Sequence, residues 1–314
     1  MVVAAEGSRD DRVRPFSLER VPVRGRIVRL GPMLDEILAL HGYPEAIAGQ
    51  LARLSALAAL LGSMLKTKGR VTVQARGQAD APLSFMVADY RAPDGPGEAA
   101  GLRAYAAFDE AAAARLDEDA DLVAWCGSRG DLAFTLESGP KAERWQGIVP
   151  LVDGDLARAA EHYFEQSEQI PTRLTLAAGR RGTALAGWRA GGLLIQHMPT
   201  GGNEEREADT DGWPRVQMLF ETLRADELLD PVLDDDALLW RLFHEEGVRV
   251  FAPVPLAHRC SCSRDKVCAV VAELSSDERE HLIGEDGAIS VRCQFCGRAY
   301  HLDPSDFATV EQGG

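Results

Sequence analysis

A chain of 314 residues is long enough for two or three domains at roughly 100–200 residues each. Its 34 basic and 49 acidic residues give a formal charge of −15, which disfavours both a nucleic-acid partner, whose phosphates need a basic footprint, and an anionic membrane surface. With 46% hydrophobic and 6% aromatic residues, the composition is that of an ordinary globular chain rather than a disordered one. The opening stretch, MVVAAEGSRDDRVRPFSLER, is too charged for an export signal, and residues 1–18 read as a flexible tail. The longest apolar run, Leu54 to Leu65, is twelve residues and is broken by Ser55, Gly62 and Ser63, so it is too short to cross a bilayer. The expected location is therefore cytoplasmic.

From Met33 the pattern turns helical. Pro44 suits a first helical turn, and Ile47, Leu51, Leu54, Ala58, Leu61 and Leu65 follow at spacings of three and four. Alternation then predicts a strand through Val71, Val73 and Ala75, with further strands in LSFMVADY, LRAYAAF, DLVAWC, LAFTLES and WQGIVPL. An amphipathic helix is expected from Asp155 to Gln166, with Leu156, Ala159, Ala160, Tyr163 and Phe164 on one face, ended by Pro171. Strands RLTLAAG, TALAGW and GGLLIQHM follow, so the region to about residue 200 reads as one mixed α+β domain.

Residues 201–212 form an acidic loop, and a helix is expected from Pro214 to Leu223. Next, Asp235 to Glu245 is an amphipathic helix with Leu238, Leu239, Leu242 and Phe243 inward, and Pro253 and Pro255 make the following stretch extended. Residues 226–257 read as a linker that is structured only through its contacts.

The C-terminal part carries the chemistry. Cys260 and Cys262 form a Cys-x-Cys pair, thirty residues intervene, and Cys293 and Cys296 form a Cys-x-x-Cys pair. In a reducing compartment, two close pairs a few tens of residues apart converge four thiolates on one tetrahedral zinc ion. Gly297, directly after the last cysteine, allows the tight turn of a metal knuckle. Residues two apart on a strand face opposite ways, so Cys260 and Cys262 share a metal only if Ser261 lies in a turn. Four thiolates leave the site at −2, and Arg259, Arg264 and Arg292 flank it as candidates to offset that charge. From His258 to Phe307 there are 50 residues, near the length at which an apolar core alone is marginal.

From spacing alone an inert structural staple is the commoner outcome, and an oxidant-sensitive switch is the other, because thiolates react with oxidants. A nucleic-acid-binding ribbon is disfavoured by six basic against eight acidic residues between 258 and 303. Catalytic zinc is disfavoured because four cysteines leave no open position; His258 and His301 are alternative ligands of low weight. Cys268 sits on an expected helix whose core face is Val267, Val270, Val271 and Leu274, and Cys126, in an expected strand, reads as a small buried hydrophobe. The sequence shows no phosphate loop, nucleophile elbow, HExxH or dinucleotide fingerprint, and the expected molecule is not an enzyme.

CSCSRDKV followed by CQFC resembles the zinc centre of the 33 kDa chaperonin family, the redox-regulated heat-shock holdases of bacteria. LKTKGRVTVQARG at 65–77, YFEQSEQIPT at 163–172, GGLLIQHMP at 191–199 and LLWRLFHEEGVRVF at 238–251 resemble family segments in the expected order, so the likeness covers most of residues 30–310. Residues 78–101 depart from the family's glycine pattern, and Cys268 is an extra thiol.

The resemblance implies a substrate-binding α+β domain at 19–225, a metastable linker at 226–257 and a redox-switch zinc domain at 258–314. It implies that the reduced form, with one Zn2+ per chain on Cys260, Cys262, Cys293 and Cys296, is inactive. Oxidation would then form Cys260–Cys262 and Cys293–Cys296 disulfides, release zinc and unfold the linker. Leu238, Leu239, Leu242 and Phe243 would be freed, and the oxidised homodimer would hold unfolding client proteins without ATP. The competing readings are a constitutive protein-binding module with a purely structural zinc ribbon and, third, a thiol–disulfide enzyme.

Overall fold

The computed structural model describes residues 9–66, 68–117, 120–139, 144–181, 187–198, 211–284, 287–303 and 306. Its contacts divide the chain into two units, Met1–His258 and Arg259–Gly314. In the first unit the order is β1 (Arg12–Leu18), β2 (Val23–Leu30), α1 (Pro32–Leu38), α2 (Glu45–Gly62), β3 (Arg70–Arg76), β4 (Leu83–Arg91) and β5 (Ala100–Phe108). Next come α3 (Glu110–Ala113), α4 (Leu122–Cys126), β6 (Asp131–Glu137), β7 (Arg144–Pro150), α5 (Leu156–Tyr163), β8 (Thr172–Arg181) and β9 (Gly187–His197). The unit closes with α6 (Gly212–Glu221), α7 (Ala225–Leu228), α8 (Asp235–Phe243), β10 (Val248–Val250) and β11 (Val254–His258). The fold class is α+β, as the sequence predicts.

One sheet runs β7-β6-β3-β4-β5-β11-β1-β2-β9-β8, with β10 added on β1. Strand β11 joins its two halves, parallel to β5 through Leu256↔Ala100 and antiparallel to β1 through Val13↔Val254. Because side chains alternate across a strand, the half formed by β1, β2, β9 and β8 feeds two cores. On β9, Leu194 points into one core and its neighbours Leu193 and Ile195 into the other.

The first core is built around α2, which is apolar on nearly every side and touches β2, β3, β4, β5, β8 and β9. A helix with this pattern must be covered all round. Its last residue, Gly62, lies against Tyr90, where a β-carbon would come within 2.1 Å of the ring. The second core places Val216, Phe220, Leu228, Leu238, Leu239, Leu242 and Phe243 against Phe16, Leu18, Val23, Ile27, Leu193 and Ile195. Phe243 stacks on Phe16 with ring centroids 6.0 Å apart.

Charge also ties α8 to the sheet. Asp235, buried at the start of the helix, lies 2.8 Å from Arg12 and 3.0 Å from Arg29. Arg29 is itself buried and donates to the carbonyls of Asp230 and Glu227. Beyond the helix, Arg215 on α6 meets buried Glu246 at 2.6 Å. Burial pushes the Asp235 carboxyl up from its ordinary value, with Arg12 and Arg29 pulling it back. A raised carboxyl takes up its proton more readily with the helix docked than with it free. Docking therefore strengthens as pH falls towards the ordinary carboxylate range and weakens as pH rises through the raised value, so mild acid does not undo this clamp.

Several sequence expectations change. Residues 12–18 are not tail but strand β1, whose Val13, Phe16 and Leu18 are buried because β2, β10 and β11 pair with it. No element was expected at 23–30, which is β2. DLVAWC is the short helix α4 rather than a strand, since the Asp121 carboxylate caps it by accepting from Ala124 N at 2.8 Å. Within residues 78–101, strand β4 (Leu83–Arg91) and the first residues of β5 form despite the departure in glycine pattern. Of TALAGW, Gly187 and Trp188 open β9, and residues 183–186 lie outside the described residues, as do 201–210 of the acidic loop. The 226–257 stretch is folded in the first unit, as the end of α7 followed by α8, β10 and β11.

Candidate metal centre

The second unit contains α9 (Arg264–Ala272), α10 (Ser276–Leu282), β12 (Ile289–Arg292) and β13 (Ala299–Leu302). Local chemistry sets each piece. Ser263 caps α9 by accepting from Lys266 N, and Ser275 with Glu278 forms a reciprocal capping box at α10. Strands β12 and β13 pair antiparallel from Ile289↔Leu302 to Arg292↔Ala299. The turn between them holds Cys293 and Cys296, closed by Cys293 N–H to the Arg298 carbonyl at 2.9 Å and Gly297 N–H to the Cys293 carbonyl at 2.8 Å. Gly297 has φ 68°, a left-handed conformation that suits glycine.

The first pair lies in the non-strand segment before α9, where Lys266 Nζ donates to the Ser261 carbonyl at 2.6 Å. Without strand alternation, Cys260 and Cys262 turn to the same side. The four sulfurs of Cys260, Cys262, Cys293 and Cys296 lie within 4.8 Å of one another. The Cys260–Cys293 separation is 3.7 Å and Cys262–Cys296 is 3.4 Å. A tetrahedron with zinc–sulfur bonds of about 2.3 Å has edges of about 3.8 Å, so the cluster fits the ion. None of the six cysteines is in a disulfide.

Electrostatics point the same way. Burial first, and then the neighbouring thiols, push the Cys296 thiol up to about 12, and burial also raises Cys293. Four sulfurs packed this closely ionise together only beside a cation, which is the role these donors fit. The hydrophobic support is thin: among the described residues of this unit, the buried apolar side chains are Val271, Ile289, Tyr300 and Leu302.

The other sequence candidates fall elsewhere. His301 Nδ1 pairs with Ser290 Oγ at 2.9 Å, and His258 Nδ1 lies 3.8 Å from Glu36 Oε2, so neither joins the sulfur cluster. Arg264 is committed to the His301 carbonyl at 2.7 Å and to Asp306 at 2.5 Å, whereas Arg298 is the guanidinium whose charge is felt by Cys262 and Cys296. Arg298 and Tyr300, whose hydroxyl donates to Cys262 Sγ at 3.0 Å, were missed in the sequence. Their placement depends on the hairpin register Val291↔Tyr300, which spacing does not display. On α9, Cys268 is half-buried with Val267, while Val270 is 64% exposed, because the helix turns its 267–268–271 face inward.

Comparison with known proteins now bears on this centre. The Hsp33 protein family model matches residues 11–303. The chain belongs to the Hsp33 family. Relatives named 33 kDa chaperonin include that of Caulobacter vibrioides, 44% identical over 95% of this chain and 96% of its own length. That of Ectopseudomonas mendocina is 37% identical over 97% of this chain and 96% of its own. The crystal structure of the Thermotoga maritima 33 kDa chaperonin shares the fold with a TM-score of 0.74, at 21% identity, over 96% of this chain and 97% of that one.

For this Hsp33 family member, no helix among the described residues is long and apolar enough to cross a membrane. Its remaining thiols differ in reach. Cys126, fully buried on α4, is pushed up to about 12 by burial. Iodoacetamide at neutral pH is therefore expected to leave Cys126 unmodified in the native protein and to label it only after denaturation, read by peptide mass mapping.

Proposed function

We propose that this protein is a redox-regulated, ATP-independent holdase chaperone, held inactive while reduced and zinc-bound. The observation that carries the reading is the convergence of four thiol sulfurs in a unit whose buried apolar side chains, among the described residues, are only Val271, Ile289, Tyr300 and Leu302. When bound, zinc supplies folding free energy and keeps the sulfurs as thiolates. Cys260, Cys262, Cys293 and Cys296 are both its ligands and the oxidant's target.

Each disulfide is a two-electron oxidation. One sulfur attacks a peroxide oxygen, the O–O bond breaks, and a sulfenic acid and one water result. The partner sulfur then displaces a second water and closes the S–S bond. One peroxide is consumed per disulfide, and the site loses its donors. The proposed products are Cys260–Cys262 and Cys293–Cys296. In the reduced cluster Cys260 lies 3.7 Å from Cys293 and Cys262 3.4 Å from Cys296, contacts that run between the pairs, so this assignment rests on proximity in sequence once the cluster opens.

Loss of the zinc unit is proposed to free residues 226–257. Leu238, Leu239, Leu242 and Phe243 would leave the sheet face that they cover, and clients would bind the apolar surface so exposed. The oxidised form is proposed to be a cytoplasmic homodimer with no enzymatic turnover, no nucleic-acid partner and no membrane association.

The test treats the zinc-loaded protein with peroxide under mild heating, follows zinc release, maps the disulfides and measures suppression of aggregation of an unfolding client. Release accompanied by suppression is expected. Zinc retention, or release that leaves aggregation unchanged, would overturn the reading in favour of a constitutive binding module with structural zinc.

A further inference from the structure

We propose that Tyr300 is a positioning residue of the metal centre, whose hydroxyl draws charge off the Cys262 sulfur and sets how readily the cluster yields to an oxidant. The inference rests on the zinc-thiolate reading above and adds a residue outside the ligand set. Tyr300 sits on β13 opposite Val291, with its ring in the small core beside Ile289 and Leu302. A phenylalanine would fill that space equally well. The hydroxyl is therefore surplus to packing, yet it is aimed at Cys262 Sγ at 3.0 Å.

Arg298 extends the arrangement. Two residues before Tyr300 on the same hairpin, its guanidinium adds a positive charge near the phenol and the sulfurs. The phenol remains the group that donates directly to a ligand. Such a donor offsets part of the −2 charge that four thiolates leave on a divalent ion. It also occupies a sulfur lone pair that would otherwise attack peroxide, since the hydrogen-bonded sulfur is the poorer nucleophile. Losing a group that orients and polarises a metal ligand in this way typically costs about 10–100-fold in metal affinity.

The experiment compares the full-length protein with Tyr300→Phe. Without oxidant, competition against a chromophoric chelator is expected to show zinc held roughly 10–100-fold more weakly by the variant. With peroxide, which is reduced to water as each pair of sulfurs becomes a disulfide, zinc release is expected to be about tenfold faster. Amide exchange of β12 and β13 in the zinc-loaded variant should match the native protein, which separates loss of the donor from loss of the fold.

Affinity and release rate both indistinguishable from native would overturn the role of Tyr300. If native protein itself holds no zinc, the metal-centre reading fails instead. Should Tyr300→Phe fail to fold, whole-chain 3-fluorotyrosine labelling keeps the ring and makes the phenol a stronger donor. Slower zinc release is then expected, and an unchanged rate overturns the proposal.

Discussion

Stripping zinc from the reduced protein with a chelator is expected to unfold the unit from Arg259 onward and to loosen residues 226–257, while the strands from β1 to β9 keep their pairing. The expected loss is about 10–16 kcal/mol of apparent folding free energy at neutral pH, the range for structural zinc in small domains. It is this large because the buried apolar side chains described there are Val271, Ile289, Tyr300 and Leu302, and because Cys262 and Cys293 pack against them. The ligands and the core are the same structure. Amide hydrogen exchange checks it. Protection of Ser290 to Arg292 should vanish in chelator while the β2–β9 ladder, paired from Val23↔His197 to Leu30↔Ala190, stays protected. Protection that survives metal removal at β12 and β13 would mean the hairpin stands by itself.

Replacing Leu242 and Phe243 together with serine is expected to make client binding largely independent of oxidation. Both side chains are buried in the second core, and Phe243 stacks on Phe16. Truncating buried Leu or Phe costs about 2–5 kcal/mol each, and the two are neighbours whose effects need not add, so α8 should lose roughly 4–8 kcal/mol of docking. Limited proteolysis should then cut within 226–257 in the reduced, zinc-loaded protein, and client aggregation should be suppressed without peroxide. An unchanged requirement for oxidant would show that α8 does not gate the client surface. Asp235→Ala reaches the same helix by another route, leaving Arg29 buried without its carboxylate at a cost of about 3–5 kcal/mol.

What the sequence made legible follows the strength of local pattern. The repeat Ile47, Leu51, Leu54 and Leu61 needed no partner to be read as a buried helix, and α2 is that helix. The four cysteines were legible for a different reason: few arrangements other than a metal site explain two such pairs. The linker's inward residues were also readable from spacing, although their receiving surface was not. That surface uses Phe16 and Leu18 from a stretch dominated by arginines, where charge hid a strand that exists only because β2, β10 and β11 pair with it. Around the sulfurs, flanking arginines were the natural candidates for charge compensation. Arg264 instead serves Asp306, and the hairpin register brings Arg298 and Tyr300 to the metal side. Neither fact is local in the sequence.

Strand β11 has a consequence for how this chain is made. Val254 to His258 lie between β1 and β5, both far earlier in the chain, and they are what joins the two halves of the sheet. A ribosome delivers the N-terminal residues first, so all strands of the β7-β6-β3-β4-β5 half and of the β1-β2-β9-β8 half are made well before the strand that joins them emerges, with α2 as their shared core and no strand pairing between them. Until then the facing edges at Ala100 to Leu102 and at Arg12 and Val13 carry backbone groups without sheet partners. The nascent protein thus passes through a stage with two open edges, and the stage ends only when translation has almost reached the cysteines.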